Sequence, residues 1–331
     1  KASHPFEVWV RCLWGIIMAI DDCSTYYMIK DGKRFTSSIL ILGKAEEGWS
    51  CPDIVEIQYN NTILTGFLKY TINQGDKNVI ETILNRIGKE LNISMADTVG
   101  VFSDDSYSHL IAIISIAVAA KPNEKFVCFR EMRDQLFWDY KSGAIPVSDW
   151  LNRWMLIRER KNFLPSDIWE VDAICPQDYF DCIMFAFEIL KLYSEKNEIK
   201  VDGFEQDYVK MMLFDVLIGQ ADRSPSNYGI IIEANTNSAR LAPLFDNSTL
   251  TKPYIQNNVI SFNHLLLERY QVAKVVFEAF RDLSDEFRKI LNNKLETILE
   301  AANSSIPYYD IQTKEFLVER IKGGARIIEN I

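Results

Sequence analysis

The sequence lacks the cysteine pattern of a zinc site or of a disulfide framework. Its six cysteines include no Cys-x-x-Cys pair and are scattered along 331 residues, at Cys12, Cys23, Cys51, Cys128, Cys175 and Cys182. Structural zinc sites and small disulfide-stapled domains both use closely spaced cysteines. We therefore expect reduced thiols and a cytoplasmic-type compartment.

Long apolar runs and a leader are also lacking. The most apolar stretch, LIAIISIAVAA at 110–120, falls well short of the roughly 20 residues that cross a bilayer. The chain opens with Lys1 rather than Met, and no charged, then apolar, then small-residue leader follows. We expect a buried strand at 110–120, no membrane partner, and an N-terminus that has been trimmed.

The chain has fewer basic than acidic residues. There are 36 Lys and Arg residues against 46 Asp and Glu residues, which gives a net charge of −10. A broad surface that follows nucleic-acid phosphates is disfavoured at this balance, so no direct nucleic-acid partner is expected. Hydrophobic residues make up 48% of the chain and aromatic ones 12%, enough for a large core and for two lobes.

Hydrophobic patterning divides the chain near residues 120–125, where KPNEK supplies loop residues. Before this point, two hairpins are predicted, one around Asp31-Gly32 and one at 54–72 around Asn60-Asn61. An amphipathic helix is predicted from Asp76, followed by strands at 97–102 and 109–118. A further strand is predicted at 126–129. Helices are then predicted at 130–140, 147–160, 177–196, 204–219, 273–301 and 313–329.

Three polar residues in the second part carry the strongest chemical signal. Asp222 and Asn227 stand five residues apart in ADRSPSN, directly after a predicted buried helix, and Asp246 follows an apolar strand in LFDN. In phosphoryl transfer from ATP, an Asp faces the substrate hydroxyl while an Asn and a second Asp hold magnesium. The alternative is that Asp222 and Asn227 shape a turn and that Asp246 caps a helix.

The first part offers a matching cation. Lys69 lies on the second strand of a predicted hairpin, and Glu81 follows in the first turn of the predicted helix. A strand Lys held by a helix Glu is how a kinase fixes its phosphate-binding ammonium. Lys30 has similar flanks but no helical Glu at a suitable distance. In the alternative interpretation, Lys69 is an exposed strand residue and Glu81 is solvated near the positive helix end.

Together these segments resemble the HipA-like serine/threonine kinases, with the compact CtkA-type kinases as the nearest branch. The likeness is strongest over 211–250, where DVLIGQADRSPSNYGIII and RLAPLFDNSTL are similar to the family's catalytic core. It extends over roughly 52–331. The resemblance implies an α+β, bilobal, protein-kinase-like fold. Its expected parts are an N-terminal extension or extra module (1–50), a β-rich N-lobe with one helix (51–122) and a helical C-lobe (123–331).

The resemblance also implies catalytic roles. Lys69 would contact the α- and β-phosphates of ATP, and Glu81 would hold Lys69. Asp222 would act as the catalytic base or orient the substrate hydroxyl. The activity implied is transfer of the γ-phosphate of ATP to a protein hydroxyl, with autophosphorylation as a further expectation.

Binding roles follow from the same likeness. Asn227 and Asp246 would hold Mg²⁺, and the backbone of Ser115, Ile116 and Ala117 would face the adenine. The implied setting is bacterial, as the toxin of a toxin–antitoxin pair or as a secreted effector. The implied partners are a protein substrate and a cognate antitoxin or other regulatory protein.

Departures from the family pattern keep two alternatives open. Ser224 stands where the family has His, Gln220 replaces an Asn, and Gly48 is the only glycine in KAEEGWSCPD, where several would cover the phosphates. The first alternative is a pseudokinase that serves as a binding or regulatory module. The second is a lipid or small-molecule kinase, against which the net charge of −10 argues.

Overall fold

The chain divides into two compact units, the first formed by Lys1–Asn78 and Asp97–Ala120 and the second by Val79–Ala96 and Lys121–Ile331. Each unit is described by itself below. The computed structural model describes residues 25–30, 33–44, 53–103, 105–106, 110–119, 123–143, 176–201, 203–220, 223, 226–247, 255–256, 259–260, 262–304 and 311–331.

Six antiparallel strands build the described part of the first unit. They are β1 (Thr25–Lys30), β2 (Lys33–Lys44), β3 (Asp53–Tyr59), β4 (Thr62–Tyr70), β5 (Thr98–Phe102) and β6 (Leu110–Ile116). Their order is β1-β2-β3-β4-β6-β5, and pairing of β1 with β5 closes the sheet on itself. Alternate residues point inward, so Met28, Val55, Leu68, Val99 and Ile114 meet in one buried core.

Both predicted hairpins are confirmed. Lys30 pairs with Lys33 across the first two-residue connection, and Tyr59 pairs with Thr62 across the second. In the second turn Asn60 and Asn61 have φ values of 48° and 62°. Two successive left-handed residues match the twist of the flanking strands, and asparagine tolerates that conformation better than most residues do.

Replacing Asn61 with a β-branched residue is therefore expected to destabilise the hairpin. Asn61→Val places a stiff side chain at a left-handed position, which costs about 1–2 kcal/mol. We expect a lower thermal unfolding midpoint, measured by circular dichroism. Thr62→Val, one residue later in β4, is the control and should leave the midpoint unchanged. Equal midpoints for Asn61→Val and the wild type would contradict this account of the turn.

One helix, α1 (Thr71–Glu90), follows β4 directly. The sequence placed its start at Asp76, so the predicted start is too late. The apolar repeat that signals the helix begins only at Val79, because the residues before it, TINQGDKN, are mostly polar. From there Val79, Ile83 and Ile87 lie on one buried face.

Six further helices lie in the described part of the second unit. They are α2 (Phe129–Lys141), α3 (Pro176–Lys196), α4 (Phe204–Ile218), α5 (Phe262–Ala279), α6 (Arg281–Ala302) and α7 (Ile311–Glu329). The prediction of one helix over 273–301 is wrong, because the chain breaks at Phe280 (φ −136°, ψ 51°). No Gly or Pro marks this break. The helix predicted at 147–160 lies outside the described residues.

The second unit also carries a four-stranded sheet, whereas the sequence predicted only a strand at 126–129 and an apolar strand before Asp246 in a mostly helical part. Its order is β7-β9-β10-β8, and a separate short hairpin pairs β11 with β12. The strands are short, and short apolar runs do not distinguish a strand from a buried helical turn. Their bounds are β7 (Glu124–Cys128), β8 (Lys200–Val201), β9 (Gly229–Glu233), β10 (Ser238–Leu241), β11 (Ile255–Gln256) and β12 (Val259–Ile260).

Helix α4 is the buried centre of the second unit. Every residue from Met211 to Ile218 is buried. Helix α7 approaches it closely at Gly324, where an added Cβ would lie 2.2 Å from the carbonyl oxygen of Leu217. The segment that leaves α4 therefore starts from a fixed point. None of the helices in the described ranges is long and apolar enough to span a membrane.

Candidate active site

Helix α4 ends abruptly where the candidate catalytic segment begins. Gly219 adopts a left-handed conformation (φ 67°), and its N–H donates to the carbonyl of Asp215 over 2.9 Å. The N–H of Gln220 donates to the same carbonyl over 3.0 Å. A glycine at this position ends a helix without steric cost. The polar segment therefore leaves the helix in one defined direction.

A fully buried ion pair joins the end of α4 to the segment that follows. The Arg223 guanidinium donates from Nε to Oδ2 of Asp215 over 2.9 Å and from Nη2 to Oδ1 over 2.7 Å. Burial alone would lower the pKa of Arg223, but the Asp215 carboxylate more than offsets this and raises it above its ordinary value. A two-pronged bond of this kind fixes both position and orientation.

The same guanidinium also holds the two segments that carry the predicted metal ligands. Nη2 donates to Oδ1 of Asn247 over 2.7 Å, and Nη1 donates to the carbonyl of Phe245 over 3.2 Å. A longer bond of 3.4 Å runs from Nη1 to the carbonyl of Asn227. Arg223 thus holds the Asn227 backbone and the segment around Asp246 in a fixed relative position.

Further bonds tie the residues on both sides of Asp246 to α1 and to the segment that follows it. Asn247 donates from Nδ2 to Oδ1 of Asn85 over 3.0 Å, and Asn85 donates to the carbonyl of Ala96 over 2.9 Å. The Ala96 N–H donates to the carbonyl of Leu244, whose own N–H donates to the carbonyl of Ser94. This parallel bridge fixes the approach to Asp246 on its other side.

Two of the predicted site residues, Asn227 and Asp246, lie together. Nδ2 of Asn227 donates to Oδ2 of Asp246 over 3.2 Å. Asp246 is left-handed (φ 53°), and its carbonyl accepts a 3.1 Å bond from Nε2 of Gln220. The left-handed backbone is uncommon for a residue other than glycine and accompanies functional sites. A half turn of the Asn227 amide would present its oxygen beside the carboxylate.

This donor set suits a magnesium ion held jointly with a phosphate ligand. Mg²⁺ takes oxygen ligands and commonly binds through one or two side chains, with phosphates and water completing the octahedron. Asn227 and Asp246 supply an amide oxygen and a carboxylate. Among the described residues, no group of three or more His, Cys, Asp and Glu side chains forms a metal site, so an all-protein cage is not present there.

The other predicted catalytic residues are distributed differently. Asp222 and its neighbour Ser224 lie outside the described residues. Lys69 lies in β4 and is half-buried, whereas the residue before it, Leu68, points into the buried core. Glu81 is completely buried in the middle of α1 rather than in its first turn, so its interpretation as a solvated residue near the helix end is wrong. The pairing of Lys69 with Glu81 stays a prediction.

The backbone predicted to face the adenine forms the end of β6. The N–H of Ile116 donates to the carbonyl of Asp97 over 2.8 Å, and the N–H of Ala117 donates to the carbonyl of Thr65 over 2.9 Å. Ser115 is buried and pairs with Thr98. These bonds fix the course of the strand end, and the adenine contact itself stays a prediction.

Lys30, the rival of Lys69, is committed elsewhere in the first unit. Its ammonium lies 2.7 Å from Oδ2 of Asp97 and 5.5 Å from the ring centre of Tyr59. The Lys30 side chain is only 10% exposed. The kinase arrangement pairs the phosphate-binding Lys with a Glu on a helix, whereas Asp97 directly precedes strand β5, so Lys69 stays the predicted phosphate-binding residue.

Sequence reasoning missed the residues that position the site. Asp215, Arg223, Asn247 and Asn85 are all buried, and none was singled out from the sequence. One signal was available, because Asp215 interrupts the apolar run MMLFDVLIG, and a buried carboxylate needs a cationic or hydrogen-bonding partner. The Asn85–Asn247 contact joins residues far apart in the chain and had no such signal.

Comparisons with known proteins give distant likenesses only. No protein-family model matches the chain, and no curated protein matches it. The proinflammatory kinase CtkA of Helicobacter pylori is similar in structure, with a TM-score of 0.44, 14% identity and coverage of 84% of this chain and 94% of CtkA. HipA of Shewanella oneidensis MR-1, in complex with HipB and operator DNA, gives a TM-score of 0.36 at 10% identity, covering 96% of this chain and 70% of HipA.

Proposed function

We propose that the protein is an ATP- and Mg²⁺-dependent serine/threonine protein kinase of the HipA-like type. The observation that carries this proposal is the Asn227–Asp246 pair, at 3.2 Å, on a buried scaffold built around Arg223. A scaffold this constrained is more than a turn requires. It holds an amide and a carboxylate together at the ends of two separate segments, as magnesium-dependent phosphoryl transfer demands.

Each residue has a distinct task in this function. When bound, Mg²⁺ would neutralise charge on the phosphates, and Asn227 and Asp246 would hold it. Lys69 would contact the α- and β-phosphates, with Glu81 holding its ammonium, and Asp222 would accept or orient the proton of the substrate hydroxyl. Catalysis would come mainly from positioning and charge stabilisation, because phosphoryl transfer asks for little covalent chemistry from the protein.

The expected partners follow from the sequence resemblance. The substrate would be a protein hydroxyl, and the chain itself is a second acceptor. A bacterial toxin with a cognate antitoxin, or a secreted effector, is the setting that the resemblance favours. Both settings require the same transfer reaction, so one assay tests the common claim.

The test is incubation of the purified chain with γ-labelled ATP and Mg²⁺, alone and with a bacterial lysate, followed by mass spectrometry. We expect label on Ser or Thr side chains, and none when EDTA replaces Mg²⁺. Binding of Mg-ATP without any transfer would instead identify a pseudokinase. Label on lipid or on a small molecule alone would assign the acceptor to a different kinase class.

Lys69 and Lys30 provide a matched pair for the phosphate-binding role. Lys69→Met removes the ammonium while keeping the length of the side chain, so we expect transfer to fall by about 10²-fold, the scale of losing one charge-stabilising group. Lys30→Met should leave transfer much less affected, because its partner Asp97 precedes a strand and does not lie on a helix as the kinase arrangement requires. Initial rates at saturating substrate measure both. Unchanged turnover in Lys69→Met, with loss in Lys30→Met, would reverse the assignment.

A further inference from the structure

Two buried arginines converge on the C-terminal end of α4. Arg269, on α5, donates from Nε to the carbonyl of Val216 and from Nη2 to the carbonyl of Leu217, both over 2.6 Å. Its Nη2 also donates to the backbone carbonyl of Arg320, on α7, over 3.3 Å. Arg269 thereby satisfies helix carbonyls that have no partner within the helix, which is a sufficient structural reason for one arginine here.

Arg320 has no comparable explanation. Arg320 is 8% exposed, and its Nε is fully buried without a hydrogen-bond partner. Within the described part of the chain, no acceptor for any N–H of its guanidinium is found. The guanidinium lies over the ring of Phe316, whose centre is 5.0 Å away. Buried polar groups are nearly always hydrogen-bonded, so the enclosed Nε lacks an acceptor that a bound ligand or water would supply.

The charge balance at this place leads to the same conclusion. No carboxylate among the described residues acts on the charge of Arg269 or of Arg320. Burial lowers the pKa of Arg269 to about 9, helped by the charge of Arg320, and burial lowers the pKa of Arg320 to about 10. Both side chains still carry a proton near neutral pH. The carbonyls at the negative end of α4 offset the charge of Arg269, whereas within the described residues no such group offsets the buried charge of Arg320.

We propose that Arg320, supported by Arg269, binds a phosphate group at the end of α4. The planar guanidinium offers paired N–H donors that match phosphate oxygens. Arg320 packs against the helix cap, because a Cβ added to Gly219 would lie 2.8 Å from Nη1. The site therefore adjoins the residue from which the 220–227 segment starts.

The ligand is inorganic phosphate or a phosphorylated side chain, which share this chemistry. Phosphate binding itself does not depend on the proposed kinase activity. An effect of the phosphate on catalysis does rest on that function, since a bound phosphate would stabilise the helix end that precedes Asp222 in the chain. A phosphate there would couple the phosphorylation state of a protein, or the phosphate level, to the stability of the C-terminal end of α4.

Thermal unfolding of the full chain tests the site without ATP. The unfolding midpoint is measured in EDTA, with inorganic phosphate or free phosphoserine, against chloride at equal ionic strength. A ligand that binds only the folded state raises the midpoint with its concentration. We expect phosphate to raise the wild-type midpoint above that in chloride, and Arg320→Met to abolish the rise. Arg326→Met, an exposed arginine on the same helix, should keep it.

Arg320→Met also separates a binding role from a structural one. Removal of an uncompensated buried charge should leave the midpoint in chloride equal to or above that of the wild type. A response to phosphoserine would identify a phosphorylated side chain as the ligand, and a response to inorganic phosphate alone would identify the free ion. The proposal is overturned if phosphate and chloride give equal wild-type midpoints, or if Arg320→Met keeps the phosphate response. Arg320→Lys, which retains one charge, should respond at higher phosphate concentrations if Arg320→Met folds poorly.

Discussion

Asp246→Asn is expected to abolish phosphoryl transfer while leaving the fold intact. Asparagine tolerates the left-handed backbone found at this position (φ 53°), and its side-chain oxygen can still accept the bond from Asn227. The substitution therefore removes only one negative charge from the proposed Mg²⁺ site. We expect transfer from ATP to fall by about 10²-fold or more, the scale seen when one charge-stabilising group is lost from an active site.

Initial rates of label transfer measure this effect, and circular dichroism checks the fold. Asp105→Asn is the control, because Asp105 lies exposed in a turn of the first unit. It removes the same charge and should transfer label at the wild-type rate. Full activity in Asp246→Asn would contradict the magnesium role of Asp246 and with it the proposed site.

Arg223→Met is expected to cause the largest loss of stability. The variant leaves the Asp215 carboxylate buried without a partner and breaks the bonds to Asn247 and Phe245. Removing one partner of a buried ion pair costs about 3–5 kcal/mol. We expect a lower urea midpoint for the second unit, followed by hydrogen exchange in α4.

The double variant Asp215→Asn/Arg223→Met separates the charge from the packing. With both charges removed, no unpaired charge remains in the core, so stability should recover in part. Activity should not recover, because the bonds that set Asn227 against Asp246 are absent. A single Arg223→Met variant as stable as the wild type would show that the ion pair is not the centre of the scaffold.

Local features of the fold were predictable because their signals are local. The two hairpins carry Asp-Gly and Asn-Asn turns between alternating strands, and both were placed within a few residues. The start of α1 was missed because its first residues are polar. The break at Phe280 was missed because neither Gly nor Pro marks it, and the strands β8 to β10 because they are too short to show a period.

Some residues of the candidate site were also predictable from local sequence, and others were not. Asn227 and Asp246 were singled out from residue type and spacing, and the structure brings them within hydrogen-bond distance. The residues that hold them, Arg223 and Asp215 above all, do their work through long-range contacts. Spacing along the chain contains no information on such contacts, and only the buried carboxylate in an apolar helix hinted at them.

Calorimetric titration of the chain with ATP, with Mg²⁺ and with EDTA, tests the central claim most directly. The proposed site predicts ATP binding that requires Mg²⁺ and that weakens strongly in Asp246→Asn, with Asp105→Asn unchanged. Absence of ATP binding, or binding that is equal with Mg²⁺ and with EDTA and insensitive to Asp246→Asn, would contradict it.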